Sequence, residues 1–288
     1  MSTFLPQGLG WIPDLPDPRD LTIDDALIRQ ILSRLPALDE PLPDRVDLRH
    51  SECGEHYLSD SRDQGEFHSA SAIAVLGLTE YFSRRVTGKA FHGSARFLYK
   101  VARNLRRIQG DFGVDLRSTL KTMVKFGAVN EADWPYHSRP MDQEPTAFVY
   151  QLAEPLRGVR YCRLPTHGRR RDGLSVWQML CRFLAAGFPF VFGFSVGSSI
   201  THEPVISLRP QDDSILGGMS AIALGYDLHR LGRNQAALLI GTSWGNQWGH
   251  NGTGWLPMSF VDHSIARDFW TLIYTAGFDP LEFANPIR

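Results

Sequence analysis

"DQGEFHSASAIAVLGLTEYF", residues 63–82, joins a polar, glycine-containing loop to a run of small and apolar residues. From Ala70 onward, Ala72, Val75, Leu76, Thr79 and Phe82 recur at three- and four-residue spacing, which predicts a buried helix over 70–85. The start of that helix is its informative end, because first-turn backbone N–H groups have no partner within the helix and can receive a carbonyl oxygen or an anion. Beside it stand Gln64, an amide donor, and His68, an imidazole that can exchange a proton near neutral pH.

Two further helical stretches follow, "GSARFLYKVARNL" and "LRSTLKTMVKFG", the second closed by Gly127. After "NEADWPY" the character of the text changes. One helix, "LSVWQMLCRFLAAG", precedes "FPFVFGFSV", "GGMSAIALGYD", "QAALLIGTSWG", "GTGWLPM" and "DFWTLIYTA", short β-rich or aromatic runs separated by Gly, Asn and Asp. These predict a twisted antiparallel sheet or open barrel. The expected organisation is α+β, a mainly helical half (46–150) facing a β-rich half (151–288), with a ligand cleft between them. Residues 1–45 hold a disproportionate share of the 18 prolines and a short helical pattern near "IDDALIRQILSRL". They read as an extended arm laid over the domain.

Three stretches together resemble the papain-like cysteine peptidases, in particular a bacterial branch that begins with an arm like "GWIPDLPDPRD" and enters the domain through a phrase like "PDRVDLR". "DQG" with its helix is similar to the nucleophile segment, "GGMSAIALGYD" to the strand of the catalytic histidine, and "TSWGNQWGHNGTGW" to the Asn-Ser-Trp-Gly segment. The match is collinear over nearly the whole chain. It implies a papain-like fold, with a helical left half and an antiparallel β-barrel-like right half. Carried over residue by residue, the nucleophile position falls on Ala70, the general base on Met219 and the histidine-orienting position on Thr242. In such peptidases an imidazole and a helix N-terminus stabilise a thiolate, which attacks a carbonyl. A methyl group and a thioether can neither attack nor shuttle a proton. The resemblance therefore implies a degenerate member that is not a cysteine peptidase, with Ser69 and Ser71 capping or packing the helix start and not acting as nucleophiles.

The same comparison leaves a carbonyl-binding corner. Gln64 matches the glutamine that, with the backbone N–H at Ala70, would polarise a carbonyl or hold a carboxylate. His68 stands where the family has glycine and adds an acid–base group to the cleft wall. Candidate ligand contacts are Glu66, Ser69, Ser71, Phe112, Gly113, Glu203, Ser220 and Trp244, with Met219, Val114 and Trp248 completing an apolar lining. Two functions follow. One is a repurposed enzyme that condenses or cyclises an amino-acid-like or peptide-like compound in small-molecule biosynthesis, with His68 moving protons and Gln64 holding the carbonyl. The other is a pseudoprotease scaffold or regulator that binds a peptide or a protein, since affinity and bond cleavage reside in different contacts.

Composition narrows the partners. Lys and Arg total 30 against 31 Asp and Glu, which gives no general attraction to nucleic acid or anionic lipid. "HGRRRDG" at 167–173 reads as a solvated loop. The N-terminus has neither a basic start nor a long apolar run, and no segment has the apolar length of a membrane span, so a cytoplasmic chain without a signal peptide is expected. Cys53, Cys162 and Cys181 are too sparse for a disulfide framework. "HSECGEH" spaces His50, Cys53 and His56 three apart without a fourth ligand, and "GLGWIP" lacks the spacing of a dinucleotide loop. Neither a metal nor a cofactor is expected. The expected partner is a small-molecule or peptide-like ligand in the cleft, or a protein.

Overall fold

A computed structural model describes residues 4–6, 8–26, 28–29, 41–50, 56–58, 60–137, 140, 142–154, 159–166, 174–208, 212–233 and 235–274. The strands are β1 (Arg45–Asp47), β2 (Arg160–Arg163), β3 (Phe190–Gly197), β4 (Ile215–Asp227), β5 (Ala237–Gly241), β6 (Thr253–Pro257) and β7 (Ala266–Tyr274). They form one antiparallel sheet in the order β2-β7-β3-β4-β5-β6, with β1 paired to β4. The helices are α1 (Ala70–Thr87), α2 (Ala95–Arg106), α3 (Leu116–Phe126), α4 (Ala147–Ala153), α5 (Val176–Ala185) and α6 (Ser259–Asp262).

The predicted helix at residue 70 is α1. It ends at Gly88, whose left-handed φ of 67° lets its N–H reach the Arg84 carbonyl at 2.9 Å. Its first turns are made of buried small residues, Ala70, Ser71, Ala72 and Ala74, which let the helix lie close against β4. Asp115 caps α3 by accepting from Ser118 N at 2.8 Å, and Gly127 closes it as expected. Ser175 and Gln178 form a capping box at the start of α5.

The sheet face turned away from α1 is aromatic, with Phe190, Phe192 and Phe194 of β3 and Phe269 of β7 fully buried and Phe194 meeting Phe260 of α6 edge-on. Burying such rings contributes to the cohesion of the β-rich half. Residue 45 opens β1, which belongs to the sheet, and residue 150 lies inside α4. The two shortest helices, α4 and α6, and the strands β1 and β2 have no counterpart in the periodicity reading.

Candidate functional site

The N-terminus of α1 meets β4 through a hydroxyl pair. Ser71 Oγ donates to the Val114 carbonyl at 2.7 Å and lies 2.9 Å from Ser220 Oγ. Ala70 and Met219, each one residue earlier, are fully buried beside that contact, and Met219 pairs across the sheet with Phe194. Thr242 follows β5 and is fastened by its N–H to the Gly252 carbonyl at 2.9 Å. The next residues reach the Gln64 loop. Gln64 N donates to Ser243 O at 2.9 Å, and Asp63 bridges Trp244. The loop, Ala70, Met219 and Thr242 are thus assembled where two halves abut.

The cleft is occupied by the N-terminal arm. Gln64 Nε2 donates to the Leu9 carbonyl at 2.8 Å and to the Phe67 carbonyl at 2.5 Å, while its Oε1 accepts from the Ser243 hydroxyl at 2.5 Å. Gly10 N and Trp11 N both donate to Gly218 O at 2.9 Å, and Val114 N donates to Gly10 O at 3.0 Å. Gly218 lies on β4, whereas Val114 and Gln64 come from the helical half, so the arm stitches the two together. Nearer the N-terminus, Phe4 N donates to Ile200 O at 3.2 Å and the Phe4 ring meets Trp244 edge-on at 5.5 Å. Leu9 and Trp11 are buried.

Two glycines are required by this close passage. Gly10 has φ +119°, and a Cβ there would come within 2.0 Å of the His68 carbonyl oxygen. Gly113, at φ +84°, would put its Cβ 2.2 Å from Gly10 O. The donor that the sequence assigns to a ligand carbonyl therefore holds a carbonyl of the chain itself.

His68 sets its imidazole beside Asp111. Its backbone N–H donates to Asp111 Oδ1 at 3.0 Å, and the ring Nδ1 lies 3.4 Å from Asp111 Oδ2, a charge contact and not a well-formed hydrogen bond. Tyr99 donates to the same carboxylate at 2.5 Å. The Asp111 carboxylate raises the imidazole pKa above its ordinary value, against a smaller opposing effect of partial burial. Burial disfavours the charge on Asp111, but the His68 and Tyr99 donors outweigh it and hold the carboxyl below its usual range. The imidazole is 40% exposed, and what His68 presents to Gly10 is its backbone carbonyl.

A second anchor fixes the arm outside the cleft. Asp14 N donates to Asp268 Oδ2 at 2.8 Å, and Asp14 accepts from Trp270 Nε1 at 2.7 Å and from Arg117 N at 3.3 Å. Asp20 takes a two-pronged bond from Arg117, at 2.7 and 2.5 Å, and Arg163 bridges Asp20 and Asp268. Burial, followed by the neighbouring charges of Asp268 and Asp115, pushes the Asp14 carboxyl up to about 7.

The other candidates are distributed as follows. Ser69 Oγ pairs with Tyr136 OH at 2.5 Å, and Tyr136 donates to Gln64 O at 3.0 Å, so Ser69 and Ser71 are engaged inside the fold. Ser220 and Trp244 are buried at the cleft. Glu66 and Glu203 are exposed. Phe112, expected in the wall, is 72% exposed, and the wall at that point is the backbone of Gly113 and Val114. His50 and His56 meet edge-to-face at 4.2 Å, while Cys53 and the 167–173 cluster lie outside the described residues. Cys162 and Cys181 are buried free thiols whose pKa burial raises. Among the described residues no helix is long and apolar enough to cross a membrane. Leu9, Gly10, Trp11, Asp14 and Asp111 were not singled out from sequence. The available signal was "GLGW", two glycines alternating with apolar residues in an arm otherwise rich in proline.

No protein-family model matches the chain. An uncharacterized peptidase C1-like protein of Acanthamoeba polyphaga mimivirus is 27% identical over 282 residues, 94% of this chain and 88% of that one. Among solved structures, xylellain, a cysteine protease from Xylella fastidiosa, is similar with a TM-score of 0.73 and 26% identity, covering 94% of this chain and 98% of its own. Procathepsin L 3 of Tenebrio molitor larval midgut shares the fold at a TM-score of 0.62 and 15% identity, over 93% of this chain and 76% of that one.

Proposed function

We propose, from the papain-like fold that this chain shares with those structures, that it is a peptide-binding protein and not a peptidase, with its own arm as the cleft's occupant. The observation that carries this reading is the 2.8 Å bond from Gln64 Nε2 to the Leu9 carbonyl, made beside a nucleophile position filled by Ala70 and a base position filled by Met219. A peptide carbonyl is held in the former oxyanion corner, and no thiolate or imidazole stands at the triad positions to act on it. Binding an extended chain needs only the main-chain partners already present at Gly218, Val114 and Gln64.

The test is restoration of the missing groups. A chain carrying Ala70→Cys, Met219→His and Thr242→Asn together is expected to cut its own arm or an added peptide, while the unaltered chain cuts neither. Hydrolysis by the unaltered chain at a comparable rate would overturn the reading.

A second reading is supported by the His68–Asp111 pair, an imidazole of raised proton affinity next to the cleft. It is acid–base condensation or cyclisation of an amino-acid-like or peptide-like compound, with Gln64 holding the carbonyl after the arm withdraws. It requires a chain opened by Gly10→Val to join small amino-acid-derived amines and aldehydes, and His68→Ala to abolish that joining. An opened chain that yields no product removes it.

A further inference from the structure

A cavity of about 520 Å³ opens at the C-terminal end of α2, within the range of small-molecule sites. One wall is Lys100, Asn104 and Arg107, spaced four and three residues apart on one helix face, with Gln109 just beyond. Asp142 and Glu144, from the segment that leads into α4, form the other wall. The wall groups are held by their neighbours. Glu144 accepts from Asn104 Nδ2 at 2.7 and 2.9 Å and from Tyr150 OH at 2.9 Å, and Lys100 Nζ lies 3.2 Å from it. Burial disfavours its charge, but these donors outweigh it and hold the carboxyl below its usual range. The buried Arg103 fixes Asp142 through Oδ1 at 2.7 Å. Arg107 stands in the left-handed region at φ 57°, its N–H turned back to the Asn104 carbonyl at 3.0 Å.

We propose that this cavity is a second binding site, separate from the cleft, for a small zwitterion such as a free α-amino acid or a dipeptide. Arg107 and Gln109 take its carboxylate, and Asp142 takes its ammonium. These are the groups left with capacity: among the described residues the Arg107 and Gln109 side chains have no polar partner, and Asp142 Oδ2 accepts nothing. Both Arg107 and Gln109 are exposed, so a ligand reaches them without any part of the fold moving. The charges select against simpler ligands. Two cations, Lys100 and Arg107, face two carboxylates, Asp142 and Glu144, so a lone anion meets the carboxylates and a lone cation meets the ammonium and guanidinium. Among the described residues no three His, Cys, Asp or Glu side chains stand together to hold a metal. A molecule carrying both charges is complementary to both walls. The arm's bonds to Gln64, Val114 and Gly218 use none of these residues, so the site goes beyond the peptide-binding reading and does not depend on it.

The experiment screens the common free amino acids and glycylglycine against the full-length chain by saturation-transfer NMR, then titrates the strongest binder by calorimetry. At least one is expected to bind with a Kd on the order of a millimolar or tighter. Its N-acetyl derivative, which lacks the ammonium, and its carboxamide, which lacks the carboxylate, should each bind about 10- to 100-fold more weakly, the worth of a hydrogen bond to a charged group. Arg107→Gly should weaken the parent ligand by a similar factor while leaving the fold intact, because glycine suits a φ of 57°. Asp142→Asn should do the same; it also releases Arg103, so if that chain does not fold, Arg107→Gly decides. Inorganic phosphate or the N-acetyl derivative binding as tightly as the parent would overturn the zwitterion. Unchanged affinity in Arg107→Gly would place the ligand elsewhere and overturn the site, as would a folded chain that binds none of these compounds. Each of these results leaves the peptide-binding reading as it stood.

Discussion

Gln64 has each polar atom of its side chain engaged, the amide nitrogen on two carbonyls and the oxygen under the Ser243 hydroxyl, in a position only 1% exposed. Truncating it leaves those buried partners unpaired, a penalty of about 1–3 kcal/mol. Gln64→Ala is therefore expected to lower the urea midpoint by a corresponding amount, and an unchanged midpoint would mean that the arm is not held there. His68 makes a different prediction. With Asp111 beside it, its imidazole should titrate above the ordinary value of 6.5 by NMR, and Asp111→Asn should bring it down. Because the folded pKa is raised, the pair stabilises the protein below the unfolded value and the contribution fades as pH rises through the folded one. At this scale the sequence was informative about chemistry and poor about direction. Gln64 was identifiable as a carbonyl donor, but nothing local in "EFHSA" shows that the imidazole meets Asp111, a partner brought near only by the fold.

The elements whose ends carry their own signals were the legible ones. α1 is visible from its apolar spacing, and α3 from its spacing and Gly127. β1 and β2 are not, because Arg45–Asp47 and Arg160–Arg163 are short and charged and become strands only when β4 and β7 supply the ladder. The path of the arm was not legible, because it is decided by glycines on β3 and β4 far along the chain. Its outer anchor carries a pH prediction. Asp14 moves from 3.8 to about 7 on docking, so the docked arm binds a proton that the free arm releases. Docking is thus favoured fully below the free value and loses that contribution as pH rises through about 7. Facing Asp14 are Asp268, Asp115, Arg117 and the Trp270 indole, with Asp20 and Arg163 completing the cluster. Tryptic cutting after Arg19, normalised to a free peptide of the same sequence, should be faster at pH 8 than at pH 6. Asp14→Asn should flatten the difference, and a pH-independent ratio in the unaltered chain would contradict it.

For the whole molecule, the arm is both a strap and a ligand. It contacts the helical half at Val114, Gln64 and Arg117 and the sheet at Gly218 and Asp268, so undocking loosens the seam between the halves. Trp11→Ala removes a large buried ring, which costs about 3–5 kcal/mol in well-packed cores. The cost here should fall at or below the lower end, because the freed arm can relax, and calorimetry should show a lowered Tm with the fold retained. The papain-like architecture was readable from three collinear segments, whereas the occupied cleft was not, since occupancy depends on tertiary fit between residues 8–11 and strands some two hundred positions away. The most direct test of a cleft that binds peptide without cutting it is to open it and look for turnover. The Gly10→Val chain, incubated with a quenched fluorogenic peptide library, is expected to bind members and release no fluorescence. Turnover that disappears on adding Gln64→Ala would contradict this, because it would place hydrolysis in the same corner that holds Leu9.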